Sequence, residues 1–295
     1  MSRNRKRIQI PQQNSPKPQP PAPSPPPQVK KDANPFGLSF VVPTEIVHLP
    51  SGGNLYTEGT PLAGLTQVEV KSVTAAEEDI MINDSFISQG IVFDKLINAI
   101  MITPNVKADD LLECDKMAIL MSARKTGYGD DVVFNTSCEN CGAEHEMSVK
   151  LSDILKKNEE NPYTLSTSEE WKYLESSNTI SFTLPSTGLD VQIKLMTPSD
   201  YDSLESSRQQ KSKLNLPFNE TIEFIRMVLV EAAGVTDRLN LNKLAEILPA
   251  ADARKIRIVH NSNVPTIDTK QEVTCPECSH TSEKEVPFSL GWFWS

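Results

Sequence analysis

"SCENCGAEHEMSVKL", Ser137 to Leu151, sets two cysteines three residues apart with a glycine directly behind the second. Near the far end of the chain "TCPECSHTSEKEVPF", Thr274 to Phe288, repeats the CxxC spacing, with Ser279 in the glycine's place. Aligning Cys138 on Cys275 also brings Cys141 onto Cys278, Val149 onto Val286 and Leu151 onto Phe288. Each copy then reads as an entering strand, a CxxC turn and an exiting strand. Such a turn directs both sulfurs to one point, and two knuckles face to face give the closed four-sulfur tetrahedron of structural zinc. A redox dithiol would sit at a helix N-terminus beside a βαβ pattern, which neither copy has. Two separate sites would draw His145 to the first pair and His280 to the second, and each would still want a fourth ligand. A shared site of Cys138, Cys141, Cys275 and Cys278 needs nothing more. The expectation is one four-cysteine zinc ribbon whose halves, residues 133–151 and 270–290, are fastened around an insertion spanning 152–269. Four thiolates leave no open coordination position, so hydrolytic chemistry at the metal is not expected.

Outward from the cysteines, composition sets the class. The chain has 295 residues, 38% hydrophobic and 23% charged, enough for one large folded body or two modest ones. No apolar run approaches the ~18–20 residues of a membrane-spanning helix, and the basic start is followed by Pro and Gln rather than an apolar stretch, which argues against a secretory signal. The fifth cysteine makes the count odd, which argues against a secreted disulfide framework. Of 29 basic and 39 acidic residues, seven basic ones and no acid fall in residues 1–31, which leaves 22 against 39, or −17, for the remainder. That acidic body disfavours nucleic acid as a partner. Residues 1–35 hold 10 of the 22 prolines, a composition that predicts a disordered or polyproline-like arm, either a solvated tether or a contact for phosphates or an acidic partner.

Folded sequence is expected from Phe36, with an N-terminal α+β part over 36–132. "LTQVEVKSV" alternates like a strand, and Thr74 followed by Glu77 is a capping box that predicts a helix ending near Gly90. Further helices are expected over Val92 to Met101 and over "KADDLLECDKMAILMSARKTGYG", ending at Gly127. Cys114 shares a helical stripe with Leu111, Ala118 and Met121, the pattern of a small buried apolar residue. The insertion reads as mainly helical with one hairpin, Ile180, Phe182 and Leu184 against Val191, Ile193 and Leu195. Its helices are expected after Pro198, along Ile222, Ile225, Leu229 and Ala232 to Gly234, and on either side of Pro249. The fold class that results is α+β.

No enzyme emerges from the motifs. GxSxG, P-loop and HExxH patterns are absent, and no nucleophile, base and orienter assemble. Tyr128-Gly129-Asp130-Asp131 matches the metal-holding tetrapeptide of template-dependent RNA polymerases, but the upstream "SARKT" is a polar helix end rather than an apolar strand. A helix stop followed by an acidic turn is the better reading. The terminal Trp292, Phe293 and Trp294, within a 291–295 tail, are open to two readings: an aromatic anchor for a partner, or cover folded back over the ribbon.

"LPSGGNLY", "VEVKSVTAAEEDIM", "ISQGIVFDKLINAIM", "DDLLECDKMAILMSARKTGYG", the CxxC strand pair, "LPAADARKIRIV…VPTID" and "CPEC…VPFSLGWFWS" follow one another in an order that resembles the T-even-type phage baseplate hub subunit and hub assembly family. The resemblance covers roughly 40–151 and 219–295. Cys114 stands where that family's pattern has a small residue such as glycine, and the Pro-rich arm and part of the insertion have no counterpart in it. The resemblance implies a late phage protein, present in the host cytoplasm during assembly, that contacts other tail and baseplate hub proteins and either stays in the virion or acts as a chaperone absent from it. The alternative of a different class is a zinc-ribbon nucleic-acid-binding protein, which the acidic body argues against.

Overall fold

The computed structural model describes residues 42–295 except 57, 166–167, 175–176, 288 and 295, so the expected arm over 1–35 and Phe288 lie outside the described residues. Strands β1 (Thr44–His48) and β2 (Gln67–Lys71) pair antiparallel with Val47 opposite Val68. Alternation turns Val47, Val68 and Val70 inward. Helix α1 (Ala75–Met81) starts at the expected capping box, where the Glu77 carboxylate accepts from the Thr74 amide at 3.0 Å and its hydroxyl at 2.6 Å. It ends well before Gly90. Asn83 Oδ1 accepts from the amides of Ser85 and Phe86 and opens a separate helix, α2 (Asp84–Ser88). An asparagine side chain that captures helical amides is itself a start signal, and here it overrides continuity.

Helix α3 (Val92–Ile100) buries Leu96, Ile97 and Ile100. A 3-10 turn (Ala108–Asp110) precedes α4 (Glu113–Tyr128). This helix runs through Gly127 and stops at Gly129, where φ is +103°. Gly127 serves packing instead: a Cβ there would lie 3.2 Å from that of Val73. Cys114 is buried on α4, and burial pushes its thiol well up.

The 49–66 loop is fixed by a buried carboxylate. Asp115 accepts from the Ser51 amide at 3.0 Å, the Ser51 hydroxyl at 2.6 Å and the Tyr56 hydroxyl at 2.5 Å, and burial raises its pKa. Gly53 occupies a left-handed turn, and a Cβ on it would meet the Leu65 amide nitrogen at 2.5 Å. Leu55, also left-handed at φ 64°, reaches from this loop to a second core.

Hairpin β3 (Asp131–Ser137) and β4 (Glu144–Lys150) leads directly into α5 (Leu151–Glu160). Leu151 therefore opens a helix instead of closing a strand, and with Ile154 it packs in the first core, which shortens the insertion expected over 152–269. In the second core β5 (Lys172–Leu174), β6 (Thr179–Thr183), β7 (Asp190–Ile193) and β8 (Leu229–Ala232) form one antiparallel sheet in that order. The expected hairpin is its centre, with Ile180, Phe182, Leu184, Val191, Ile193 and Leu195 all buried. Helices α6 (Pro198–Lys213), α7 (Glu220–Val228), α8 (Arg238–Ile247) and α9 (Ala250–Ser262) complete this part. The helix expected to reach Gly234 ends at Val228, because Leu229 to Ala232 pair with β7. The chain then returns to the first core through β9 (Lys270–Thr274) and β10 (Thr281–Glu285), a second antiparallel hairpin. Val286, Trp292 and Phe293 follow it into that core.

Candidate metal centre

The two hairpins end in matching turns. Cys138 donates its amide to Ala143 O at 2.9 Å and Gly142 donates to Cys138 O at 2.9 Å. In the second copy Cys275 donates to His280 O and Ser279 to Cys275 O, both at 2.9 Å. Gly142 and Ser279, aligned in the sequence, both take positive φ, +72° and +56°. Each turn presents its two sulfurs on one side, and the two turns meet.

Cys138 Sγ lies 3.7 Å from Cys278 Sγ, and Cys141 Sγ lies 3.7 Å from Cys275 Sγ. All four sulfurs fall within 4.8 Å of one another, so they could hold a metal ion. Metal–thiolate bonds of about 2.3 Å directed to tetrahedral corners put sulfurs about 3.8 Å apart. The observed spacing fits that figure and is far too long for a disulfide. Cys138 and Cys275 are buried, whereas Cys141 and Cys278 are exposed. The inner sulfurs lie against the hairpins and the outer ones close the group.

Polar hydrogens converge on these sulfurs, as thiolate ligands require. The amides of Cys141 and Asn140 lower the Cys138 pKa. The Asn140 side chain, 3.6 Å from Cys278 Sγ, and the His280 amide draw the Cys278 thiol down to about 6. At Cys141 the Ala143 amide acts in the same sense, but sharing a proton with Cys278, Cys138 and Cys275 outweighs it and pushes that thiol up to about 12. With no ion between them, four crowded thiols cannot all ionise; a cation would displace the retained protons. Neither histidine joins the group. His145 Nδ1 faces Ala143 O at 3.3 Å, and His280 contributes its carbonyl and amide to the second turn.

Two contacts here escaped the sequence reading. Asn140 sits inside its own knuckle yet reaches a sulfur of the other one, and Lys284 on β10 donates to Glu139 at 2.5 Å. Both join the hairpins across the centre. The "CENC" spelling already displayed a donor between the ligands, but only the folded pairing shows which sulfur it serves.

Trp292 and Phe293 are buried in the first core. The Phe293 ring centroid lies 6.0 Å from Phe93 and 6.5 Å, edge-on, from Tyr128. Trp294 belongs to the same 3-10 turn (Leu290–Trp294). Arg124, unremarked within "SARKT", fastens this end. Its buried guanidinium donates to Gly129 O at 2.6 Å, Asp131 O at 3.2 Å and Trp292 O at 3.4 Å. In the "GDD" stretch, Asp130 accepts the amide and hydroxyl of Ser152 at 2.8 and 2.5 Å, which caps the first turn of α5.

The sequence model of a family described as "T4 bacteriophage base plate protein" matches residues 42–293, a span that takes in both cores and both CxxC hairpins. No curated protein and no solved structure matches.

Proposed function

The chain belongs to the T4 bacteriophage base plate protein family, and on that premise we propose that it is a structural or assembly component of the baseplate hub of a contractile-tail phage. It works through protein–protein contacts, is not an enzyme, and uses zinc as a structural staple. The family match across both cores is the observation that carries this reading. Tetrahedral four-thiolate coordination is the donor set zinc prefers for closed sites, and it supports zinc as the ion. Cys138 and Cys141 would hold it from one hairpin, and Cys275 and Cys278 from the other. The ion supplies neutralising charge and fixed geometry, and the chain's amides and Asn140 orient the thiolates toward it.

The partners are other baseplate hub and tail proteins, met in the host cytoplasm late in infection and retained in the virion tail. Quantitative mass spectrometry of purified virions tests this. The structural role predicts the chain in the particle at a constant ratio to other baseplate proteins. Its absence from particles that need it for assembly would instead make it a chaperone.

A further inference from the structure

Helix α9 turns Ala253, Ile256 and Val259 into the second core and leaves Arg254, Arg257, Ile258 and Asn261 on its outer face. Spacings of three, one and three place these four on a single stripe. Arg254 and Arg257 make no ion pair or hydrogen bond among the described residues. The other described arginines are all engaged: Arg124 and Arg238 with backbone carbonyls, Arg208 with Glu205, and Arg226 with Glu223. Lys255, between the two, is spent on Glu170. Ile258, one turn after Arg254 and next to Arg257, stays 45% exposed, and Ile247, just before α9, is 78% exposed. Pro185, Ala250 and Ala251 floor a shallow apolar groove alongside Arg254 and Ile258.

We propose that this stripe is the docking surface for an acidic amphipathic segment of another protein, with carboxylates one turn apart beside an apolar side chain. Arginine forks favour carboxylates bidentately, and Ile258 with the groove offers the apolar contact beside them. The body outside the arm carries −17 and as a whole repels such a segment, so the two guanidinium groups supply a local attraction that the net charge does not. The chain's own arm cannot be the occupant, because residues 1–31 carry seven basic residues and no acid. A second copy docked stripe to stripe would oppose arginine to arginine.

The surface rests on the assembly reading for its biological partner, but binding by purified protein is read apart from virion composition. The test is fluorescence anisotropy on the full chain with a labelled helical peptide carrying Glu one turn apart beside Leu. Its Gln-for-Glu twin and a single-stranded oligonucleotide of equal charge serve as comparisons. The expected result is saturable binding of the acidic peptide alone, weakened about tenfold or more by R254E/R257E and several-fold by Ile258→Ser, with unchanged melting temperatures. Equal binding by wild type and R254E/R257E, no binding of the acidic peptide, preference for the oligonucleotide, or self-association abolished by R254E/R257E would each overturn it.

Discussion

Arg124 and His260 show how single buried polar groups hold distant segments. Arg124 serves three carbonyls, one of them 168 positions away in the terminal turn. Arg124→Met keeps much of the apolar stem and strands those acceptors, each costing about 1–3 kcal/mol when buried. Chemical denaturation should show a loss of at least about 2 kcal/mol; a loss under about 0.5 kcal/mol would refute the fastening role. His260 is buried with Nε2 accepting from the Met196 amide at 3.3 Å and Nδ1 facing Asn261 Oδ1 at 3.2 Å. This pairing requires the neutral imidazole with its proton on Nδ1, and burial lowers its pKa below the ordinary value. As pH falls below about 6.5 the unfolded histidine takes up a proton before the folded one does. The stability owed to neutral His260 is therefore full above that pH and is lost as pH drops toward the folded value. Denaturation midpoints between pH 7 and pH 5 should decline more steeply in the wild type than in His260→Gln; parallel profiles would count against this. Neither role is legible in sequence, since a lone Arg or His on a helix says nothing about which carbonyl or amide it will meet.

At the scale of elements, local chemistry was legible where it acted alone. The Thr74–Glu77 box, the Pro198 start and the alternation of β6 and β7 all produced the elements they announce. It failed where a long-range partner decided. Residues 229–232 continue a helical stripe in sequence, yet the open edge of β7 takes them as β8. Gly127 looked like a stop but is a packing glycine against Val73. Element joints differ in the same way. Asp252 on α9 is fully buried and accepts the amides of Ser186 at 2.7 Å and Thr187 at 3.1 Å, which ties the helix to the β6–β7 turn. Asn83 instead caps a short exposed helix with its side chain. Asp252→Ala should cost about 2–4 kcal/mol by stranding two amides, and Asn83→Ala only about 0.5–1 kcal/mol. Equal losses in denaturant titrations would mean the buried joint carries no special weight.

Over the length of the chain, two hairpins separated in sequence by the second core meet at the four cysteines. The pairing of the CxxC stretches is legible because spacing and strand positions repeat in both copies, whereas the left-handed backbone shared by Gly142 and Ser279 shows only in the fold. Their facing contacts, Asn140 to Cys278 and Lys284 to Glu139, arise only from the meeting of the hairpins. Loss of the metal should loosen both hairpins at once, since neither pair alone completes the coordination. Acid should act likewise, because protonated thiols release the ion. Native mass spectrometry with elemental analysis, on protein purified without chelator, tests the shared site most directly. One zinc per chain is predicted, lost alike in Cys138→Ser and Cys275→Ser; two zincs per chain, none, or iron in its place would contradict it.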